Sequence, residues 1–448
     1  MALKLKLLLI VFTAVTALLS VYGENPADSV EYSRIDYVRI NKINIEINGF
    51  TRPGAVLRNI KIYEGEVFSD KKTLVQAVDK DVQELKNLRV FSAVQYNIEY
   101  SGTAEETEAA VNIKLKDSWS IFPFIIPSSS RNGSRISLEI VDKNFLGTLT
   151  ELKLSGSLRV GENLSTGELG IQDWKVYLLW AGITFNQWSF SGIISQSHSS
   201  SGKTTGGNVL EHYTHDESSI SAEIRYEIPA LRNLYLYLNP YVSWRYNYKI
   251  HTDDSKIYKD SFVAGSGLGI DFNRINWIDF YRQGWSAGLM NIVSGGFGDS
   301  PHAVNLSTGR LSGFIITGPV NLNGRLSLLY CYGEDITSLG HYLRGVNNFE
   351  LYGNRGVFLN TSVQIKLKHW KKFEPHLQPF VDMGFAVPEG GRLKWSENFR
   401  IGSGLEFLAF FPTLPSFQVV LTFGIDLTTI SSGWDSSWEA GISSKLKF

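Results

Sequence analysis

Cysteine is almost absent from this chain, and that absence removes a good deal of chemistry. The sole cysteine among 448 residues, Cys331, can form no internal disulfide and supply no cysteine-based zinc cluster. An excess of either charge is lacking too. With 43 basic and 44 acidic side chains the net charge is −1, so nothing in the balance points to nucleic acid or an anionic surface as partner. Long hydrophobic runs are missing after the N-terminus, where Leu7 to Val21 falls short of the ~20 residues a helical span needs. If the rest of the chain enters a membrane, it must do so as a closed sheet. There is no phosphate loop and no His-Glu-x-x-His. His212, His215 and Asp216 are metal-ligating types, but they fall in a polar stretch, 202–219, that reads as a solvated surface loop. No catalytic, metal or cofactor residue is assigned, and an enzyme is not expected.

What the chain does have is aromatic residues and glycine: 11 Trp, 20 Tyr, 26 Phe and 41 Gly at 43% apolar content. That combination suits a membrane β-barrel, in which only alternate residues face lipid. The N-terminus, with Lys4 and Lys6 before the apolar run and Gly23 after it, reads as a signal peptide over 1–23. A linker, 24–36, follows.

Residues 37–117 read as a small α/β unit of order β-α-α-β-β. Val38 to Ile47 is extended and ends at the turn Asn48-Gly49. Pro53 opens a short helix through Ile60, as proline suits a first helical turn. Ser69 or Asp70 can cap a second helix, whose face is Leu74, Val78, Val82, Leu85 and Leu88. Val90 to Tyr100 and Ala109 to Leu115 then alternate as two strands.

From 118 to 448 helical periodicity gives way to stretches of about ten residues that alternate apolar and polar between Gly, Asn and Ser turns. Sixteen such stretches begin near Ile121, Ile136, Leu152, Lys175, Trp188, Ile220, Leu234, Phe262, Trp285, Leu306, Leu322, Leu359, Leu377, Phe399, Phe417 and Glu439. The fold expected is a sixteen-stranded antiparallel transmembrane β-barrel behind one small domain. The last stretch places Trp438, Ala440, Ile442, Leu446 and Phe448 on one face, so Trp438, Ile442, Leu446 and Phe448 form a candidate C-terminal insertion signal.

Two further features are chemical. The loop Leu343-Arg344-Gly345-Val346 carries an arginine beside a glycine, and Phe380-Val381-Asp382-Met383-Gly384 offers a carboxylate to its planar fork. Arg344, Gly345, Asp382 and Gly384 are therefore a candidate lumen latch. The first barrel strand holds Pro123 and Pro127. At a spacing of four, both missing N–H groups fall on the same edge, which predicts either weak pairing with the last strand or a strand that simply starts late. Pro123, Pro127, Gly441 and Phe448 mark that candidate lateral seam.

The small unit, with Ile45-x-Ile47-x-Gly49-Phe50, Glu64-Gly65-Glu66-Val67-Phe68 and Val90-Phe91-Ser92-Ala93-Val94, resembles a POTRA domain. With Leu343-Arg344-Gly345-Val346, Gly353-Asn354-Arg355 and Phe380-x-Asp382-x-Gly384, the whole chain resembles the BamA/TamA-type superfamily of outer-membrane assembly and translocation barrels. An aromatic usually follows the loop glycine in that family; Val346 stands there in this sequence. The resemblance implies a bacterial outer-membrane barrel and a POTRA domain in the periplasm. Its implied partners are unfolded outer-membrane or secreted polypeptides, outer-membrane lipids and periplasmic or lipoprotein subunits. It also implies that the arginine loop is the sixth surface loop, folded into the lumen, with five strands after it. A two-partner-secretion transporter, a passive porin and a surface-loop protein are the alternative readings.

Overall fold

The computed structural model describes residues 37–102, 107–130, 133–162, 169–205, 208–252, 260–298, 302–333, 335–336, 338–368, 370, 372–430 and 438–443. The expected signal peptide and linker, and Leu446 and Phe448 of the expected terminal signal, lie outside these residues.

The N-terminal domain is built from β1 (Val38–Asn48), α1 (Pro53–Leu57), β2 (Val67–Phe68), α2 (Lys71–Asn87), β3 (Phe91–Gly102) and β4 (Thr107–Asp117). The sheet order is β2-β1-β4-β3, with β1 parallel to β4 and the other pairs antiparallel. Asp70 starts α2 by accepting the Thr73 N–H at 2.7 Å, filling one of the donors left open in a first helical turn. Leu74, Val78, Val82 and Leu85 turn inward and pack with Val38, Ile40, Val111 and Ile113 into one core. The sheet and two helices fit a single POTRA-like domain. Two expectations are corrected here. A two-residue strand, β2, lies between the helices, and α1 ends at Leu57, three residues before Ile60.

The barrel strands are β5 (Ile121–Ser130), β6 (Gly133–Asp142), β7 (Glu151–Glu162), β8 (Leu169–Phe185), β9 (Trp188–Thr205), β10 (Asn208–Glu227), β11 (Leu234–Ile250), β12 (Ser261–Asn273), β14 (Tyr281–Gly298), β15 (His302–Thr317), β16 (Val320–Tyr332), β17 (Arg355–Lys366), β18 (Glu374–Val387), β19 (Phe399–Phe411), β20 (Leu414–Asp426) and β21 (Trp438–Ser443). They close into a sixteen-stranded antiparallel barrel, and the three-residue β13 (Asn276–Ile278) folds back on the start of β14 in a turn. Alternation sorts the two faces. Ile136, Leu138 and Ile140 on β6, or Val176, Leu178 and Trp180 on β8, are exposed outward. On β18, His376, Gln378, Phe380 and Asp382 are buried inward.

The stretch 202–219, expected as a loop, is corrected to strand: β9 runs to Thr205 and β10 starts at Asn208. With 18 and 20 residues these strands exceed the roughly ten that cross a membrane. A ladder that continues beyond the lipid needs no apolar face, so its sequence reads as polar loop. His212 lies there against His251, with ring centroids 4.6 Å apart, and within 2.9 Å of the Ser200 hydroxyl.

The N-terminal domain is clamped to the turns at one end of the barrel. The Arg232 guanidinium, in the β10–β11 turn, reaches Asp81 at 2.8 Å and Glu84 at 2.9 Å on α2. Asp81 is fully buried and also accepts the Lys61 and Ile62 N–H groups at 2.7 and 2.8 Å. Arg89 lies 4.2 Å over the Trp277 ring, donates to the carbonyls of Asp279 and Pro415, and accepts the Ser416 hydroxyl at its own carbonyl. Burial pushes the Arg89 guanidinium down to about 10. A fourth contact pairs the Arg52 N–H with the Gly147 carbonyl at 2.9 Å. The domain therefore touches the β6–β7, β10–β11, β12–β14 and β19–β20 turns.

Candidate functional site: a latched lumen and a short seam

The segment between β16 and β17 does not stay outside. Leu339, Leu343, Val346 and Leu351 are buried with Phe358 of β17 and Ala386 of β18 in a cluster that holds the loop within the barrel. Tyr342 stacks on Phe358 with centroids 4.4 Å apart. Val346, where the resembled family has an aromatic, is 6% exposed and takes part in this packing.

This anchoring delivers Arg344 to Asp382. Its Nε and Nη2 donate to Oδ2 and Oδ1 of Asp382 at 2.9 and 2.8 Å, and its backbone N–H adds a third bond to Oδ2 at 3.0 Å. Nη1 reaches Oε2 of Glu406 on β19 at 3.0 Å, and the guanidinium lies 3.9 Å over the Phe380 ring. Glu406 is held in turn by Gln378 at 2.6 Å and Thr422 at 3.2 Å. The guanidinium thus has its carboxylates fixed on two adjacent strands, so it sets one position for the loop.

Glycine makes room for the tip. Gly345 has φ +79, in the left-handed region, and its N–H donates to Oε2 of Glu439 on β21 at 3.1 Å. A Cβ on Gly402 would stand 1.9 Å from the Arg344 carbonyl, and one on Gly424 would stand 2.9 Å from the Gly345 Cα. Gly384 faces Phe358, with 2.6 Å between its would-be Cβ and that ring. The structure therefore brings Arg344, Gly345 and Asp382 together and sets Gly384 beside the loop's aromatic anchor. Glu406, Glu439, Gly402 and Gly424 were not found from sequence. Their only signal is inward alternation on late strands, which many residues share.

The other candidate lies at barrel closure. β5 pairs with β6 over its whole length, through Pro123 and Pro127. With β21 it makes three registered pairs among the described residues, Ser130–Glu439, Ser129–Ala440 and Ser128–Gly441. Ile442 and Ser443 continue in register with β20 but have no partner across from Pro127 and Ile126. Among the described residues the pairing stops where the prolines begin. Trp438 pairs with β20, opposite Ile425.

Gly284-Trp285-Ser286-Ala287-Gly288 has the letters of a nucleophile elbow, which requires a sharp strand-to-helix turn. Here it runs along β14, with Ser286 buried opposite Ser312 on β15, so the geometry of an elbow is not present.

A sixteen-stranded barrel with an in-folded sixth loop behind a small α/β domain can be compared with known structures. The fold is that of the CdiB and BamA barrels. CdiB from Acinetobacter baumannii superposes with a TM-score of 0.61 at 15% identity, covering 92% of this chain and 74% of that one. BamA from Haemophilus ducreyi lacking POTRA domains 1-3 gives 0.50 at 14% identity over 93% and 85%. CdiB from Escherichia coli gives 0.50 at 10% identity over 94% and 93%. No family model matches the chain. No curated protein matches it by sequence. The chain is thus a barrel of outer-membrane type.

Proposed function

We propose that this protein inserts or exports polypeptides at a bacterial outer membrane. The N-terminal domain, on the periplasmic side, receives an unfolded segment along a sheet edge, and the barrel passes it on. The observation that carries this reading is the β5–β21 seam. Among the described residues three registered pairs close it, while the adjoining β5–β6 and β20–β21 ladders have ten and six. Each lost pair removes backbone hydrogen bonding, so opening this junction costs less than opening any ladder beside it. The latched loop argues against a passive porin, because it fills lumen that a porin leaves open.

Cysteines at Ser129 and Ala440, opposite each other in the seam, test the reading in intact cells. The oxidised pair should abolish insertion or export of client polypeptides, and reduction should restore it. Full activity with the pair oxidised would sink the proposal. Cys331 is buried and does not compete for the new pair.

A further inference from the structure

Beside the latched loop the lumen keeps a cavity of about 1100 Å³. Its wall on β14, β15 and β16 carries Arg282, Arg310 and Arg325. Arg310 stands opposite Gly288 and Ser327, and Arg325 opposite Ser312 and Asn360, so their cross-strand neighbours carry no charge to pair with them. Arg310 and Arg325 are open to the cavity, while Arg282 lies 4.0 Å over the Phe314 ring. Among the described residues none of the three guanidiniums makes an ion pair or hydrogen bond, although the Arg282 carbonyl accepts from Asn321 at 2.8 Å.

The carboxylates around them are already committed. Arg344 holds Asp382 and Glu406, and Arg225 holds Glu223 at 2.5 Å. Asp271 alone faces the cavity without an ion pair and is attracted by Arg225 and Arg310, so three guanidiniums lacking an ion pair meet one such carboxylate. Like charges gathered in a walled cavity repel one another and focus their field on whatever anion enters. The same cavity is lined by Asn239 of β11, Asn323 of β16 and Gln378 of β18, whose side-chain carbonyl oxygens have no hydrogen-bond partner. A peptide brings carboxylates for the arginines and N–H groups for those acceptors. A phosphate monoester brings no N–H, and this polar wall offers little to acyl chains.

We propose that Arg282, Arg310 and Arg325 form a lumen site for acidic stretches of polypeptide. The proposal rests on the transport reading above and names the substrate chemistry it favours. The site draws Asp- and Glu-bearing segments to the β14–β16 wall and disfavours basic ones.

The purified full chain in detergent, with fluorescent peptides read by anisotropy, provides the test. A Glu-Ser repeat should bind at least about tenfold more tightly than a Gln-Ser repeat of equal length, and added salt should narrow the gap. Arg310→Gln/Arg325→Gln should erase the preference while migrating as a folded barrel. Asp271→Asn should strengthen Glu-Ser binding several-fold, an effect a misfolded barrel cannot produce. Equal binding of the two peptides overturns the proposal. So does an unchanged preference in the double variant. Displacement of bound Glu-Ser peptide by vesicles with phosphatidic acid, but not by excess unlabelled peptide, assigns the site to lipid phosphate and also overturns it. Client transport is read separately through the seam lock. Equal peptide binding with lock-sensitive transport refutes the arginine site alone. Tight Glu-Ser binding with lock-insensitive transport refutes the transport route alone.

Discussion

The Gly345 N–H donates to Oε2 of Glu439 at 3.1 Å, so the tip of the in-folded loop is bonded to the last strand of the barrel. Glu439 is also paired across the seam with Ser130 and, on its other side, with Gly424. One residue therefore links the latch to the junction that the proposed mechanism opens. Glu439→Ala removes the acceptor and should loosen β21 by about 1–2 kcal/mol, or about five- to thirtyfold in local opening. Hydrogen exchange of the 438–443 backbone reads this directly. Glu439→Gln keeps an acceptor and should stay near wild type. Equal exchange in all three proteins would separate the loop from the seam.

Arg344 makes three bonds to Asp382 counting its backbone N–H, and one to Glu406. Asp382→Ala removes all three and leaves the guanidinium with one carboxylate. The expected loss is about 3–5 kcal/mol, the range for breaking a buried pair from one side. Glu406→Gln should cost less, since an amide oxygen can still accept from Nη1. The ordering of urea midpoints, Asp382→Ala below Glu406→Gln below wild type, checks the assignment. A reversed order would place the loop's main anchor on β19.

Glycine at 402 is a steric requirement rather than a conformational one. A methyl there would stand 1.9 Å from the Arg344 carbonyl, a backbone atom that cannot turn aside. Gly402→Ala should displace the loop tip from the lumen and raise conductance in planar bilayers several-fold, with the barrel still folded. Gly313→Ala is the matched control, because nothing lies within 4 Å of its would-be Cβ. Identical conductance in the two variants would remove Gly402 from the latch.

Strand number and order were legible because alternation repeats along every strand and lipid exposure enforces it. Arg344 and Asp382 were legible through the resemblance of Leu343-Arg344-Gly345-Val346 and Phe380-x-Asp382-x-Gly384 to known motifs, because arginine also adjoins glycine at Arg310, Arg325, Arg355 and Arg392. Glu406 and Glu439 were not, since an inward carboxylate has no pattern of its own until the loop arrives. The 202–219 stretch misled for the opposite reason: β9 and β10 outrun the lipid, and the alternation that marks a strand fades there. The domain clamp was invisible. Arg89, Arg232 and Trp277 are far apart in sequence and meet only after both parts have folded.

That clamp carries the last prediction. Arg232 joins the β10–β11 turn to Asp81 and Glu84, and Asp81 is fully buried. Arg232→Ala leaves Asp81 its two backbone donors but no cation, and should weaken docking by about 3 kcal/mol. The effect has a pH sign. Burial raises the Glu84 carboxyl above its ordinary value, with Lys61 and Arg232 pulling against the rise. Without Arg232 that rise is larger, and protonation then favours the docked state, so the defect should shrink as pH falls through the Glu84 value. Limited proteolysis of the segment 117–120 that joins β4 to β5, with a protease that does not cut at arginine, reports undocking. Faster cleavage in Arg232→Ala at neutral pH, with the gap to wild type narrowing on acidification, is the expected result. A defect that grows on acidification would mean that Glu84 is not the group Arg232 restrains.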